Sequence, residues 1–170
     1  MATVGTRVAD FASRALIGES VKNIKLSDYS GRWVVLYFYP KDDTAVCESE
    51  NMEFREQAPE FEKLGTQLLA VSVDSIESHQ QWRDKGLGAL PFPWIADESK
   101  DIAAQLGALH HDTGLALRAT FILDPDGMLR FAYIADLPTG RSVAEVLRSL
   151  AALQSGKPTA CNWQPGEPTL

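Results

Sequence analysis

A single thiol, Cys47, closes the stretch FYPKDDTAVC (38–47), in which an apolar, aromatic run gives way to a proline, two aspartates and a threonine. Cysteine is among the most buried residue types, so a lone thiol reads either as a small packing residue or as a reactive group. Position decides between the two here. Cys47 falls where a strand hands over to a helix, and the unpaired N–H groups and positive dipole end of a helix's first turn favour an anion. The thiolate is the nucleophilic form of sulfur. Thr44 is placed to hydrogen-bond the sulfur or an incoming oxygen, and Pro40 ends the strand and shields the sulfur from water. The constellation suits attack on an electrophile.

The elements that must position this sulfur follow from hydrophobic patterning. RWVVLYFY (32–39) is a nearly unbroken β-branched and aromatic run, as expected of a strand covered on both faces. After Cys47, Phe54, Ala58 and Phe61 recur at helical spacing, with Pro59 expected to open a second helical segment and Gly65 to close it. TQLLAVSVD (66–74) reads as another buried strand, which completes a βαβ unit with parallel strands. Open α/β sheets hold their ligand sites at the carboxyl edge of the strands, where Cys47 would lie. Further on, SIESHQQWRD and ESKDIAAQLGA read as helices. ATFILDPDGMLRFAYI reads as a hairpin turning at Asp124-Pro125-Asp126-Gly127, and SVAEVLRSLAALQ (142–154) as an amphipathic closing helix. The fold class is α/β with a mixed sheet. From Gly156 onward, Pro158, Pro165, Gly166 and Pro168 predict an irregular, mobile tail.

Composition bounds the rest. With 170 residues, 45% of them hydrophobic and 23% charged, one globular domain is expected. The formal net charge of −7 argues against nucleic acid or an acidic membrane surface as partner. No apolar run approaches a membrane span, and MATVGTRVADFASR lacks the pattern of a secretory signal, so a cytoplasmic protein is expected. Two cysteines are too few for a disulfide framework or a zinc site. His110-His111-Asp112 reads as a solvated loop, since adjacent histidines diverge, and neither metal nor cofactor is expected. Trp82, with Leu87, Leu90 and Phe92, reads as core.

The pattern Pro40-x-x-x-Thr44-x-x-Cys47 after an apolar strand resembles the active-site signature of the peroxiredoxins, thiol peroxidases on a thioredoxin-like fold. VADF (8–11), KLSDYSGRWVVLYFYP (25–40), GLALRATFILDPDG (114–127), LPTGRSVAEVLRSL (137–150) and ACNWQPGE (160–167) are similar to segments of the alkyl hydroperoxide reductase type, the typical two-cysteine branch. The resemblance implies that Cys47 is the peroxidatic cysteine, which reduces hydrogen peroxide or an organic hydroperoxide and becomes a sulfenic acid. It implies that Arg118 holds thiolate and peroxide, and that Glu50 and Arg141 orient Arg118. Cys161, in the tail, would be the resolving cysteine, forming a disulfide with Cys47 of a second subunit. A homodimer, with decamers as a further assembly, and a protein disulfide reductant (thioredoxin or a dedicated flavoprotein) are implied. The expected layout is a thioredoxin-like domain over residues 1–155 and a tail, 156–170, carrying Cys161.

The chain also departs from that branch. Glu48-Ser49-Glu50 stands where Pro-Thr-Glu is usual, and Asp43 and Ala45 replace aromatics that help pack dimers into decamers. YPKDDT is more similar to the bacterioferritin comigratory branch, so the alternatives are a one-cysteine enzyme in which Cys161 does not resolve, or a non-enzymatic chaperone of the same fold. A thioredoxin-type C-x-x-C is absent, because Glu50 occupies its second position. Glu48 beside the sulfur opposes its negative charge. Lys85-Gly86-Leu87-Gly88 replaces the Gly-Gly-Leu-Gly of easily over-oxidised members, and resistance to over-oxidation is expected.

Overall fold

The computed structural model describes residues 1–170. Its centre is β3 (Trp33–Phe38), whose Val34 to Phe38 are buried, as a strand with apolar side chains on both faces must be. β3 pairs in parallel with β4 (Thr66–Ser72) on one side and antiparallel with β6 (Arg118–Leu123) on the other. β6 turns into β7 (Leu129–Ala135) through the anticipated Asp124-Pro125-Asp126-Gly127 bend, where Gly127 has φ 78° and its N–H donates to the Asp124 carbonyl at 2.9 Å. β1 (Ala12–Ile17), β2 (Ser20–Lys25) and β5 (Trp94–Ala96) complete a seven-stranded mixed sheet in the order β2-β1-β5-β4-β3-β6-β7.

Alternation along β3 divides the core in two. Val35 and Tyr37 face α1 (Ala45–Lys63) and α4 (Val143–Gln154), packing with Phe54, Phe61, Val143, Val146 and Leu150, while α2 (Ile76–Trp82) adds Ile76 and Trp82 to the same layer. Val34, Leu36 and Phe38 face the other way, onto Ile102, Ala103 and Leu106 of α3 (Asp101–Leu106). Helices therefore cover both faces of a mixed sheet, which is the thioredoxin-like α/β architecture. Trp82, Leu87, Leu90 and Phe92 lie in the core as read from the sequence. No helix is long and apolar enough to cross a membrane.

Three features differ from the sequence reading. Pro59 does not open a second helix but lies within α1. Its ring removes the N–H that the Arg55 carbonyl would accept from, and burial of Phe54 and Phe61 on either side in one core carries the helix through. The β1–β2 hairpin and the three-residue β5 carry too little patterning to stand out. Finally, the tail is irregular as expected but closed. The Leu170 N–H donates to the Pro158 carbonyl at 2.9 Å, the Trp163 indole N–H to the Glu167 carbonyl at 3.0 Å, and Trp163 is buried. Arg148 of α4 donates to the Trp163 carbonyl at 3.2 Å, so the loop is laid on α4 instead of hanging free.

Candidate active site

The chain leaves β3 through Tyr39 and the buried Pro40, and α1 starts at Ala45, after Thr44 in extended conformation (φ −128°, ψ 147°). Cys47 is therefore in the first turn, where N–H groups lack intrahelical acceptors. Its surface is 0% exposed. The Thr44 hydroxyl donates to the Lys41 carbonyl at 3.0 Å and not to the sulfur, which fixes the turn and leaves the oxygen's lone pairs free.

Arg118, at the start of β6, reaches across the sheet end to this turn. Its Nη1 donates to Cys47 Sγ at 3.3 Å and to Glu50 Oε2 at 3.0 Å, and its Nε donates to the Leu137 carbonyl at 2.6 Å. Glu50, one turn along α1 from Cys47, is 3% exposed and binds a second guanidinium. Arg141 donates from its backbone N–H and Nε to Glu50 Oε1 at 2.8 and 3.0 Å, and from Nη2 to Oε2 at 2.9 Å. The remaining Arg141 donors meet the carbonyls of Ala119 and Phe38 and the Thr120 hydroxyl. Strand ends, helix start and the approach to α4 are thus drawn together on one carboxylate. Two cations and one anion are buried here, and Cys47 Sγ lies against the uncompensated positive charge.

Six of the seven residues singled out in the sequence meet here: Pro40, Thr44, Cys47, Glu50, Arg118 and Arg141. The seventh, Cys161, is exposed on the tail, and both thiols are free. His110, His111 and Asp112 bring their ligand atoms within 4.8 Å of one another, and none of them is hydrogen-bonded to the Cys47 cluster.

A further polar cluster escaped the sequence reading. Asp42 turns inward from the loop and accepts from the Tyr39 hydroxyl at 2.5 Å, from the Ser78 hydroxyl at 2.8 Å and from His79 Nδ1 at 2.6 Å. Asp74 accepts from the Asp42 N–H at 2.9 Å and the Ser72 hydroxyl at 2.7 Å. Burial, reinforced by the charge of Asp42, pushes the Asp74 carboxyl above its usual range. Outside, Lys85 and Asp43 form an exposed ion pair at 2.5 Å. The adjacent aspartates thereby tie the loop before Cys47 to the segment 72–85 on both its inner and outer sides. An Asp-Asp pair in a loop was the one available signal, but it reads equally as solvated.

The fold and this cluster together define a class: a thioredoxin-like α/β protein with a single thiol at a helix start, countered by a buried arginine. The chain belongs to the AhpC/TSA family, whose profile matches residues 4–132. It is 42% identical over 178 residues to peroxiredoxin-2 of Mus musculus, covering 99% of this chain and 90% of the relative. It is 43% identical to the chloroplastic 2-Cys peroxiredoxin BAS1 of Spinacia oleracea, covering 98% of this chain and 67% of the relative. Among solved structures, reduced 2-Cys peroxiredoxin of Plasmodium vivax superposes with a TM-score of 0.93 at 32% identity, over 97% of this chain and 91% of that one. Mycobacterium tuberculosis AhpC gives 0.86 at 37% identity, over 95% and 98%.

Proposed function

We propose that the protein is a thiol-dependent peroxidase that reduces hydrogen peroxide and organic hydroperoxides, with Cys47 as the attacking group and Cys161 as the resolving one. The observation that carries the reading is the shared Arg118 donor, 3.3 Å from the sulfur and 3.0 Å from Glu50, in a cluster one negative charge short of neutrality. A thiolate supplies that charge. Its sulfur attacks the terminal peroxide oxygen and the O–O bond breaks. The bonding pair leaves on the departing oxygen, which takes a proton and exits as water or an alcohol. Arg118, held by Leu137 and Glu50, is preorganised to stabilise the charge moving onto that oxygen. Thr44 offers its free lone pairs to the peroxide proton, and Pro40 keeps water from the sulfur.

The Cys47 sulfenic acid then condenses with a thiol, losing water to give a disulfide. Exposed Cys161 suits this step, and its tail is the unit 156–170 beside a catalytic domain of 1–155. The partner subunit comes by way of β7. It is an edge strand with Tyr133 and Ile134 41% and 45% exposed, and pairing of two such edges about a two-fold axis gives a homodimer. A thioredoxin-type or flavoprotein reductant reopens the disulfide, and the cytoplasm, where thiols are kept reduced, is the compartment that fits two free cysteines.

Non-reducing electrophoresis after one equivalent of hydrogen peroxide tests the cycle. Wild type should run as a linked dimer and Cys161→Ser as a monomer carrying sulfenic Cys47. Loss of neither band pattern nor peroxide consumption in Cys47→Ser would sink the assignment.

A further inference from the structure

Asn51 stands one turn beyond Cys47, inside α1, and is 0% exposed. Asparagine is a poor helix-interior residue, and an amide buried in an apolar layer is costly unless both of its ends are satisfied. Both ends are satisfied here. Nδ2 donates to the Cys47 backbone carbonyl at 2.9 Å, and Oδ1 accepts from the Tyr37 hydroxyl at 2.7 Å. The amide cannot be reversed, because its oxygen would then face the carbonyl oxygen of Cys47. Tyr37, on β3, is likewise 0% exposed, and burial holds its phenol well above its ordinary range, so the hydroxyl remains a donor. Its ring stacks on Phe54 with centroids 3.8 Å apart and planes 10° apart. A chain of two hydrogen bonds thus runs from the central strand β3 to the backbone of the reactive residue.

The link matters because the reactive sulfur is enclosed. A disulfide requires the two Cα atoms to approach within roughly 4.4–6.8 Å. Cys47 is wholly buried, whereas Cys161 lies in solvent on the tail beside Arg148. The two sulfurs cannot meet unless the first turn of α1 opens. We infer that Tyr37 and Asn51 are positioning residues that hold the Cys47 turn closed. They thereby set the partition of the sulfenic acid between disulfide formation and a second oxidation. In the first path the Cys47 sulfenic acid and the Cys161 thiol form an S–S bond and release water. In the second, sulfenic Cys47 takes an oxygen from another peroxide, whose O–O bond breaks to release water, leaving a sulfinic acid. A tighter pin favours the second path. The inference rests on the proposed roles of Cys47 and Cys161.

Tyr37→Phe removes only the hydroxyl and keeps the ring on Phe54. Rapid mixing with hydrogen peroxide, followed by intrinsic fluorescence, separates sulfenic acid formation from disulfide formation, and mass spectrometry across a peroxide series gives the sulfinic fraction. The expected result is peroxide attack within about two-fold of wild type and disulfide formation about five-fold faster, the scale of one buried neutral hydrogen bond. The peroxide concentration giving half-sulfinic Cys47 should rise in the same proportion. The double variant Tyr37→Phe/Asn51→Leu replaces both polar partners by apolar groups. It should melt near wild type while keeping the fast disulfide step, which separates the pin from general stability and stands in if the single variant folds poorly. Unchanged disulfide formation and an unchanged sulfinic fraction would overturn the inference, as would an equal change in both phases. A wild type that forms no sulfenic acid or disulfide at all would instead overturn the proposed function.

Discussion

Glu50 shows how far a single side chain can be read in advance. Its spacing from Cys47 is visible in the sequence, and so is an arginine ahead of each of the segments that follow, but not that one carboxylate would hold both guanidiniums. That depends on β6 and the approach to α4 converging at one sheet end, a tertiary fact. Substituting Gln for Glu50 leaves two buried cations facing a neutral amide, and truncating one partner of a buried pair costs about 3–5 kcal/mol. A urea titration of Glu50→Gln should register that loss, and peroxide attack should slow because Arg118 loses its anchor. Asn51 and Asp42 were illegible for a different reason: polar residues in a helix or loop look solvent-facing until packing is known. Asp74 belongs with them. Its folded-state pKa is raised, so the carboxyl's contribution to stability is full below the usual range near 4 and is lost as pH rises through the shifted value. Asp74→Asn removes that loss, and its melting temperature relative to wild type should climb between about pH 4 and pH 7.

Among the elements, β3, β4 and the β6–β7 hairpin were legible because continuous or alternating apolar runs leave little choice of structure. The β1–β2 hairpin was not, since its residues are mostly exposed and only Ala15, Leu16 and Ile24 bury. Pro59 misled for a plain reason: local preference argues for a helix start, and burial on both sides of it overrides that preference. The override leaves a recoverable cost. Pro59 is exposed, so Pro59→Ala restores an N–H to the Arg55 carbonyl without disturbing the core, and should stabilise the protein by roughly 1–3 kcal/mol in a denaturant titration. The tail was read correctly as irregular, yet its hydrogen bonds from Leu170 to Pro158 and from Trp163 to Glu167 depend on a buried indole that composition does not reveal.

For the whole molecule, the acidic balance of −7 argues against a nucleic-acid partner, and the exposed edge at β7 is the surface on which the proposed pairing with a like chain rests. Ile134→Arg places a charge on that edge in each copy. It should convert the species seen by sedimentation to monomer and abolish the peroxide-linked band, while sulfenic Cys47 still forms. Enclosure of one thiol and exposure of the other has a practical corollary. The two sulfurs sort electrophiles by girth: a maleimide or a conjugated aldehyde is caught at the outer one, whereas an oxidant of two heavy atoms needs far less room to reach the inner one. On the proposed cycle, the walls that keep bulky poisons from Cys47 also stand between it and Cys161, so tolerance of toxic adducts and tolerance of oxidant excess would be traded against each other in one turn of helix.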